Sequence, residues 1–174
     1  MKKIYFILMA TAVFLTSAVN AQGVIAAWNY STVSAQGTMA TPLNATSQDS
    51  NLGVAEILRG GGLSVATINY GFASGVTGAT DNTEADAITL GDYHLINLKA
   101  SSGTLTVTKI ISRIYRHANG PQKFRWAYSK NGTTFTNIGL EIDITGTTNS
   151  DIVREIDLSS DVNLANVPNN TTVT

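Results

Sequence analysis

The chain has 174 residues, of which 11 are Lys or Arg and 12 are Asp or Glu, so its formal net charge is −1. A charge this close to neutral gives no overall attraction to nucleic acid or to an anionic membrane. The chain contains no cysteine, which excludes disulfide bonds and thiolate metal sites. Packing alone must therefore stabilise the folded protein.

The first residues have the pattern of an export signal. Lys2 and Lys3 form a basic start, an apolar run covers 4–17, and small residues surround Ala21. The apolar run is shorter than the ~20 residues that a membrane-spanning helix needs, and its length is typical of a signal peptide. We predict a signal peptide at 1–21, a module at 22–174 and no membrane span after cleavage. The protein is then secreted, to the extracellular space or cell surface, with the periplasm as the alternative.

Short β patterns separated by polar or glycine-rich segments follow the signal. We predict short strands within 24–28, 55–58, 63–66 and 69–73, a long surface loop over 31–51 and a polar loop over 75–86. Residues 93–98 alternate as a further strand. No window combines helical periodicity with caps and sufficient length, so we predict no helix.

The segment from Leu105 to Leu140 carries the clearest strand signals. The run 104–117 is rich in β-branched and aromatic residues, which favour strands. Residues 123–129 then alternate, so we expect Phe124, Trp126 and Tyr128 to face the core. Asn131-Gly132 predicts a hairpin with a type I′ turn, which needs positive φ at both central residues.

The last third of the chain completes an all-β pattern. A strand at 133–140, its extension over 141–144 and a strand at 152–158 follow the hairpin. Many short strands with polar turns predict an antiparallel β-sandwich. Residues 169–174 look like the start of another strand, so we expect the module to be C-terminally incomplete and to lack its last strand or strands.

Four segments carry a recognisable pattern: Leu58-Arg59-Gly60-Gly61-Gly62-Leu63, Ile111-Ser112-Arg113-Ile114-Tyr115-Arg116, Gly120-Pro121-Gln122-Lys123-Phe124-Arg125-Trp126, and Ser129-Lys130-Asn131-Gly132-Thr133-Thr134-Phe135. Together they resemble a jelly-roll-like β-sandwich accessory module of secreted multidomain proteins of the Bacteroidetes type, which is similar to carbohydrate-binding modules. The resemblance covers most of 22–174. It implies a jelly-roll-like fold and a non-catalytic accessory role. The family's closing segment is missing here.

A run of basic residues lies between Asp92 and Glu141 with no acid among them. It comprises Lys99, Lys109, Arg113, Arg116, Lys123, Arg125 and Lys130. One interpretation is that they keep exposed strand faces and sheet edges soluble. The other is a cationic strip that meets an anionic glycan or another acidic surface.

Three residues of the predicted strand over 104–117 are the candidate ligand-binding group. Arg113, Tyr115 and His117 have the same parity, so they project together. Sugars stack an apolar face on an aromatic ring while polar neighbours orient their hydroxyls. We therefore predict a glycan as the partner. Nucleic acid is not expected, because the patch is small and the chain is net acidic after signal cleavage.

Catalytic residues are not indicated by the sequence. His94 and His117 are isolated histidines without a Ser-His-acid grouping. The pairs Glu141/Asp143 and Glu155/Asp157 lie two residues apart; a solvated strand face explains them, with glycoside hydrolysis or Ca²⁺ binding as the alternatives. The candidate Ca²⁺ site is a run of oxygen donors in the predicted loop: Asp81, Asn82, Glu84 and Asp86. No other cofactor is predicted.

The expected function is a secreted, non-catalytic β-sandwich module for binding or spacing at the cell surface or in the extracellular matrix. A glycan is the expected ligand, and we expect no enzymatic activity. The alternative is an N-terminal accessory piece of a larger secreted hydrolase or nuclease. A third reading is a purely structural spacer.

Overall fold

The protein has an all-β, antiparallel, sandwich-like fold with one short helix in the described part of the chain. The structure is a computed structural model and describes residues 23–30, 41–66, 72–76, 83–117, 120–145 and 151–174. The predicted signal peptide at 1–21 lies outside the described residues. Within the described ranges, no helix is long and apolar enough to cross a membrane.

The strands are short, and they follow the order of the predicted β runs. They are β1 (Ala26–Ala27), β2 (Leu43–Asn44), β3 (Ser47–Gln48), β4 (Leu52–Arg59), β5 (Leu63–Val65), β6 (Ser74–Val76), β7 (His94–Ala100), β8 (Thr104–Leu105), β9 (Lys109–Tyr115), β10 (Lys123–Tyr128), β11 (Thr136–Asp143), β12 (Asp151–Asp157) and β13 (Val167–Pro168). The helix α1 spans Glu84–Leu90, and a short 3-10 turn spans Val162–Leu164.

One group of strands is joined by the C-terminal residues. Strands β2, β4 and β7 form one antiparallel sheet, and β10 pairs with β11. Val173 exchanges two backbone hydrogen bonds of 2.8 Å with Leu98 of β7. Thr174 exchanges two bonds of 2.8 and 2.9 Å with Ser129, which follows β10. The C-terminal residues therefore connect the two sheets.

The other group is a long, irregular ribbon. Strand β9 pairs with β12 over seven residue pairs, from Lys109↔Asp157 to Tyr115↔Asp151. Strand β8 pairs with β13, and two backbone bonds link the pairs: Val107 donates to Leu164 at 2.9 Å, and Leu158 donates to Thr108 at 2.7 Å. The predicted strand over 104–117 is thus real but interrupted at 106–108.

Both groups contribute side chains to one core. Its buried members are Leu52, Ala55, Ala100, Leu105, Val107, Tyr128, Ile138, Leu158, Leu164, Val167 and Val173. Leu164 is the most completely buried of these apolar side chains, at 2% exposure. Full burial of such a side chain is worth about 1.5–3 kcal/mol, so the core supplies the stability that a chain without cysteine needs.

The helix α1 corrects the prediction of a chain without helices. Thr83 begins it: the Oγ1 atom accepts a hydrogen bond from the Asp86 backbone N–H at 3.1 Å and donates to Asp86 Oδ2 at 2.7 Å. Gly91 ends it at φ +82°, with its N–H bonded to the Ala87 carbonyl. These are regular capping interactions. The prediction failed because seven residues are too few to show a helical apolar period.

The prediction of a type I′ turn at Asn131-Gly132 is also wrong. The last pairs of β10 and β11 include Tyr128↔Thr136, so the connection is longer than two residues. Gly132 has φ +74°, but Asn131 does not have a positive φ. Instead, Asn131 Oδ1 accepts hydrogen bonds from the N–H groups of Thr133 and Thr134 at 3.0 and 2.8 Å. Side-chain capping, not paired positive φ angles, closes this loop.

Two predicted loops contain regular structure. Strands β2 and β3 lie within the loop predicted over 31–51, of which residues 31–40 are outside the described part. The last two residues of β6, Gly75 and Val76, and the start of α1 lie within the loop predicted over 75–86. Of the strand predicted over 69–73, residues 69–71 lie outside the described ranges, and Phe72 and Ala73 precede β6. The strands predicted over 55–58, 93–98 and 152–158 are confirmed.

Candidate functional site

The three predicted ligand residues lie together on an exposed face of the ribbon. Along β9 the side chains alternate between exposed and partly buried, and Arg113, Tyr115 and His117 all take the exposed side. On the opposite side, Ile110 packs against the core. Burial of the isoleucine side fixes the strand's orientation, so Arg113 and Tyr115 share the exposed side of β9, and His117, which follows β9, is also exposed.

Strand β12 completes this surface, which we call the β9–β12 face. Its members are the exposed side chains Lys109, Ile111, Arg113, Tyr115, His117, Asp151, Val153, Glu155 and Asp157. Ile111 is 64% exposed, Val153 is 61% exposed and Tyr115 is 45% exposed. Two β-branched side chains and part of one aromatic ring are therefore exposed to solvent on this face.

Ion pairs cross this face diagonally. Arg113 lies opposite Val153 but pairs with Asp151, and Lys109 lies opposite Asp157 but pairs with Glu155, with 2.6 Å between Nζ and Oε1. The hydrogen bond to Glu155 and the charge of that carboxylate raise the pKa of Lys109. Because both pairs are exposed, each stabilises the fold little. Their main effect is to cancel charge on the face.

A buried arginine positions the end of β9. Arg116 is 6% exposed and points away from the β9–β12 face. Its Nε donates to the carbonyl oxygens of Gly120 and Pro121 at 3.1 and 2.9 Å. Gly120 in turn donates its N–H to the His117 carbonyl at 2.8 Å. The turn after β9 is thereby held, and His117 with it.

The basic run between Asp92 and Glu141 does not form a continuous cationic strip. Acids from other parts of the chain pair with four of its members: Lys109 with Glu155, Arg113 with Asp151, Lys123 with Glu141, and Arg125 with Glu84. Arg116 is buried. The pairing of strands brings acidic side chains next to basic ones, as in Lys109–Glu155 and Lys123–Glu141. The order of charges along the sequence does not show this.

Other aromatic residues are less available than Tyr115. Phe124, Trp126 and Tyr128 lie on the inward face of β10 as predicted, and Tyr128 is 7% exposed. Trp28 is partly buried against the core, and its Nε1 donates to the Leu43 carbonyl at 3.2 Å. The Tyr30 hydroxyl is buried, and this burial raises its pKa to about 12. Tyr115 is therefore the best-placed ring for stacking among these.

The candidate Ca²⁺ residues are only partly described. Glu84 and Asp86 lie in the first turn of α1, whereas Asp81 and Asn82 lie outside the described residues. Glu84 pairs with Arg125 at 3.1 Å, and Asp86 is bonded to Thr83. Within the described ranges, no three His, Cys, Asp or Glu side chains come together as a metal site. The Ca²⁺ site stays a prediction.

The carboxylate pairs on strands β11 and β12 are solvated, as the sequence indicated. Glu141 and Asp143 are exposed on β11, and Glu155 and Asp157 are exposed on β12. Glu141 and Glu155 are each engaged by a lysine. Hydrogen bonds from Thr145 and from Ser159 lower the pKa of Asp143 and of Asp157, respectively.

A polar network around Arg59 was not predicted. Arg59 is 8% exposed, and its guanidinium Cζ lies 3.7 Å from the centroid of the Phe72 ring. Its Nε donates to Ser74 Oγ at 2.9 Å, and Ser74 Oγ lies 2.6 Å from His94 Nε2. Nothing in the sequence connects these residues, because the pairing of β4 with β7 and the position of β6 bring them together.

The Ser74–His94 contact does not resemble an efficient nucleophile and base. His94 is an exposed residue at the start of β7, but its Nε2 is turned to Ser74; partial desolvation of the ring, and then the charge of Arg59, lower the pKa of His94 to about 4. A general base works best with a pKa near the operating pH. Within the described part of the chain, no carboxylate is bonded to His94 to support it. We interpret the network as a structural link between β4, β6 and β7.

An open cleft of about 460 Å³ is an alternative candidate site. It is lined by Gly53, Val54, Lys99, Ala100, Ser101, Asn169 and Asn170. None of these described lining residues is aromatic, so they do not offer the stacking surface that a sugar requires. The β9–β12 face is the better candidate. Comparison of the chain with known protein families, with curated proteins and with solved structures finds no match.

Proposed function

We propose that the protein is a secreted, non-catalytic module that binds a glycan on the β9–β12 face, at the cell surface or in the extracellular matrix. The observation that carries this proposal is the position of Tyr115. Tyr115 is 45% exposed on the outward side of β9, and Arg113 and His117 lie two residues away on either side of it in the sequence.

The chemistry of these side chains suits a sugar. An aromatic ring offers a flat apolar surface to the C–H face of a pyranose. A guanidinium provides several N–H donors in a fixed plane, and an imidazole donates or accepts according to its tautomer. One N–H group of the Arg113 guanidinium donates a hydrogen bond to Asp151. This bond holds the guanidinium in place, and the other N–H groups of Arg113 donate to hydroxyl oxygens of the sugar.

The surroundings support binding over catalysis. Two of the three carboxylates of the face, those of Glu155 and Asp151, pair with Lys109 and Arg113 of the same face. Asp151 and Glu155 are exposed to solvent, whereas the carboxyl group that serves as the general acid of a glycosidase lies in an apolar pocket.

A glycan array tests the proposal with the purified protein and three variants. Tyr115→Ala removes the ring, Tyr115→Phe keeps it, and Arg113→Ala removes the donors. We expect binding to be lost in the first variant, largely retained in the second and reduced in the third. Leu140→Ala is the control, because Leu140 is 85% exposed on β11 and lies outside the face. Absence of a signal on every glycan would favour the structural spacer.

A further inference from the structure

The charges on the β9–β12 face nearly cancel. Two cations, Lys109 and Arg113, stand against three carboxylates, Asp151, Glu155 and Asp157. Each cation already has a carboxylate partner on the face. An anionic ligand could reach Arg113 or Lys109 only beside the carboxylates of Asp151 and Glu155, which already lie within ion-pair distance of these cations. Like charges at such distances repel.

Apolar surface lies between the two ion pairs. Ile111 lies opposite Glu155, and Val153 lies opposite Arg113. Ile111 and Val153 are therefore diagonal neighbours. Their diagonal runs in the same direction as those of the ion pairs Lys109–Glu155 and Arg113–Asp151. Both are more than 60% exposed, at 64% and 61%. The face thus presents an apolar pair between two neutralised charge pairs, with the Tyr115 ring at one end.

The dimensions favour a chain over a single sugar. Alternate residues on one face of a strand are about 7 Å apart, so Ile111 and Tyr115 are separated by about 14 Å along β9. The face is a ladder of paired side chains, and none of its residues lines either of the two open clefts described for the protein. A ligand that covers both Ile111 and Tyr115 must be extended.

From this geometry we infer that the ligand of the β9–β12 face is an uncharged polysaccharide chain and not an anionic one. This inference rests on the proposed glycan-binding function and adds the substrate class. The apolar C–H faces of the sugar units lie on Tyr115, Ile111 and Val153. Their hydroxyl groups bond to the polar atoms of the ion pairs without breaking them.

Binding to immobilised polysaccharides at two salt concentrations tests this inference. The panel contains uncharged, carboxylated and sulfated polysaccharides. We expect the uncharged class to bind best, with an affinity that changes by less than about twofold between about 0.05 and 0.5 M NaCl, because no net charge is neutralised. Preference for a charged class, with an affinity that falls about tenfold or more over that range, would overturn the inference and leave glycan binding itself standing. Absence of binding to every class would overturn both.

A charge-changing variant tests the physical reason directly. Asp151→Asn with Glu155→Gln releases Arg113 and Lys109 and makes the face net positive. We expect this double variant to acquire salt-sensitive binding to sulfated polysaccharide, by about tenfold over the unmodified protein at low salt. The matched control is Glu141→Gln with Asp143→Asn, which makes the same change of charge on exposed positions of β11. Equal behaviour of the two double variants would show that the acids of the face do not set the selectivity.

Discussion

Val173 and Leu98 exchange two backbone hydrogen bonds, each 2.8 Å long, and the side chain of Val173 is 6% exposed. The neighbouring residue, Thr174, makes the same kind of mutual pair with Ser129. Successive residues of a strand direct their hydrogen bonds to opposite sides. These two residues therefore join β7 to the end of β10 as a short strand between them.

Disruption of this junction is expected to destabilise the protein. Val173→Asp places a charge without a partner in the core, and we expect a loss of more than about 3 kcal/mol in the free energy of unfolding. Urea unfolding followed by tryptophan fluorescence gives the measurement. Val162→Asp is the matched control, because Val162 is 81% exposed; we expect a change within about 0.5 kcal/mol. Similar losses in both variants would contradict a buried junction at Val173.

The glycine that ends α1 is expected to be more sensitive than the glycine of the β10–β11 loop. Both have positive φ, +82° at Gly91 and +74° at Gly132. A Cβ at Gly91 would also lie 2.9 Å from the Gly61 nitrogen, whereas nothing lies within 4 Å at Gly132. We expect Gly132→Ala to cost about 1 kcal/mol through backbone strain alone, and Gly91→Ala to cost clearly more. Thermal unfolding of both variants decides this; equal costs would show that Gly61 and α1 are not in close contact.

His94 is expected to make the protein lose stability as the pH falls from about 6.5 to about 4. Burial and Arg59 lower the pKa of His94 to about 4 in the folded protein, whereas an unfolded histidine titrates near 6.5. Between these values the unfolded chain binds a proton that the folded protein does not bind. Acid therefore shifts the equilibrium toward unfolding.

Urea midpoints at pH 7 and pH 4.5 measure this effect. The wild type should lose more stability than His94→Gln over that interval. Asp143 and Asp157 also have lowered pKa values, but carboxylates of this kind lose their contribution below about pH 4. Both remain in the variant, so the difference between the two proteins reports His94. Equal losses in the two proteins would contradict the prediction.

Arg116 is expected to contribute more to stability than Arg125. Arg116 is 6% exposed and donates to two carbonyl oxygens of the Gly120-Pro121 turn. Hydrogen bonds to charged groups are worth about 1.5–3 kcal/mol, so we expect Arg116→Gln to cost about 2 kcal/mol. Arg125→Gln, which breaks the exposed pair with Glu84, should cost no more than about 1 kcal/mol. Chemical denaturation compares them, and the reverse order would refute the role of Arg116 in the turn.

Strand alternation was the most informative feature of the sequence. It correctly placed Phe124, Trp126 and Tyr128 inward on β10, and it placed Arg113 and Tyr115 outward on β9. A period of two needs only a few residues to be visible, because each apolar position must face the core. The outward group of the candidate site was therefore accessible from the sequence.

Contacts between residues of distant strands could not be predicted from the sequence in this way. The pairing of Arg113 with Asp151 depends on the register of β9 with β12, and the Arg59–Ser74–His94 network depends on that of β4 with β7. Register is set by the whole core and not by local spacing. The helix α1 is different, because its local signals are the capping residues Thr83 and Gly91 and not an apolar periodicity.

The junction at the C-terminal residues has a consequence for how the chain folds. Thr174 Oγ1 donates to Asn97 Oδ1 across a sequence separation of 77 residues, and the adjacent backbone pairs of β7 depend on the same late segment. While the ribosome is still synthesising residues beyond Ala100, the outer edge of β7 has no strand to meet. Proteins dominated by such long-range pairings fold in milliseconds to seconds rather than microseconds. An unpaired edge is also a template for aggregation during that interval, so this edge of β7 stays exposed to aggregation until Val173 has been synthesised and has paired with Leu98.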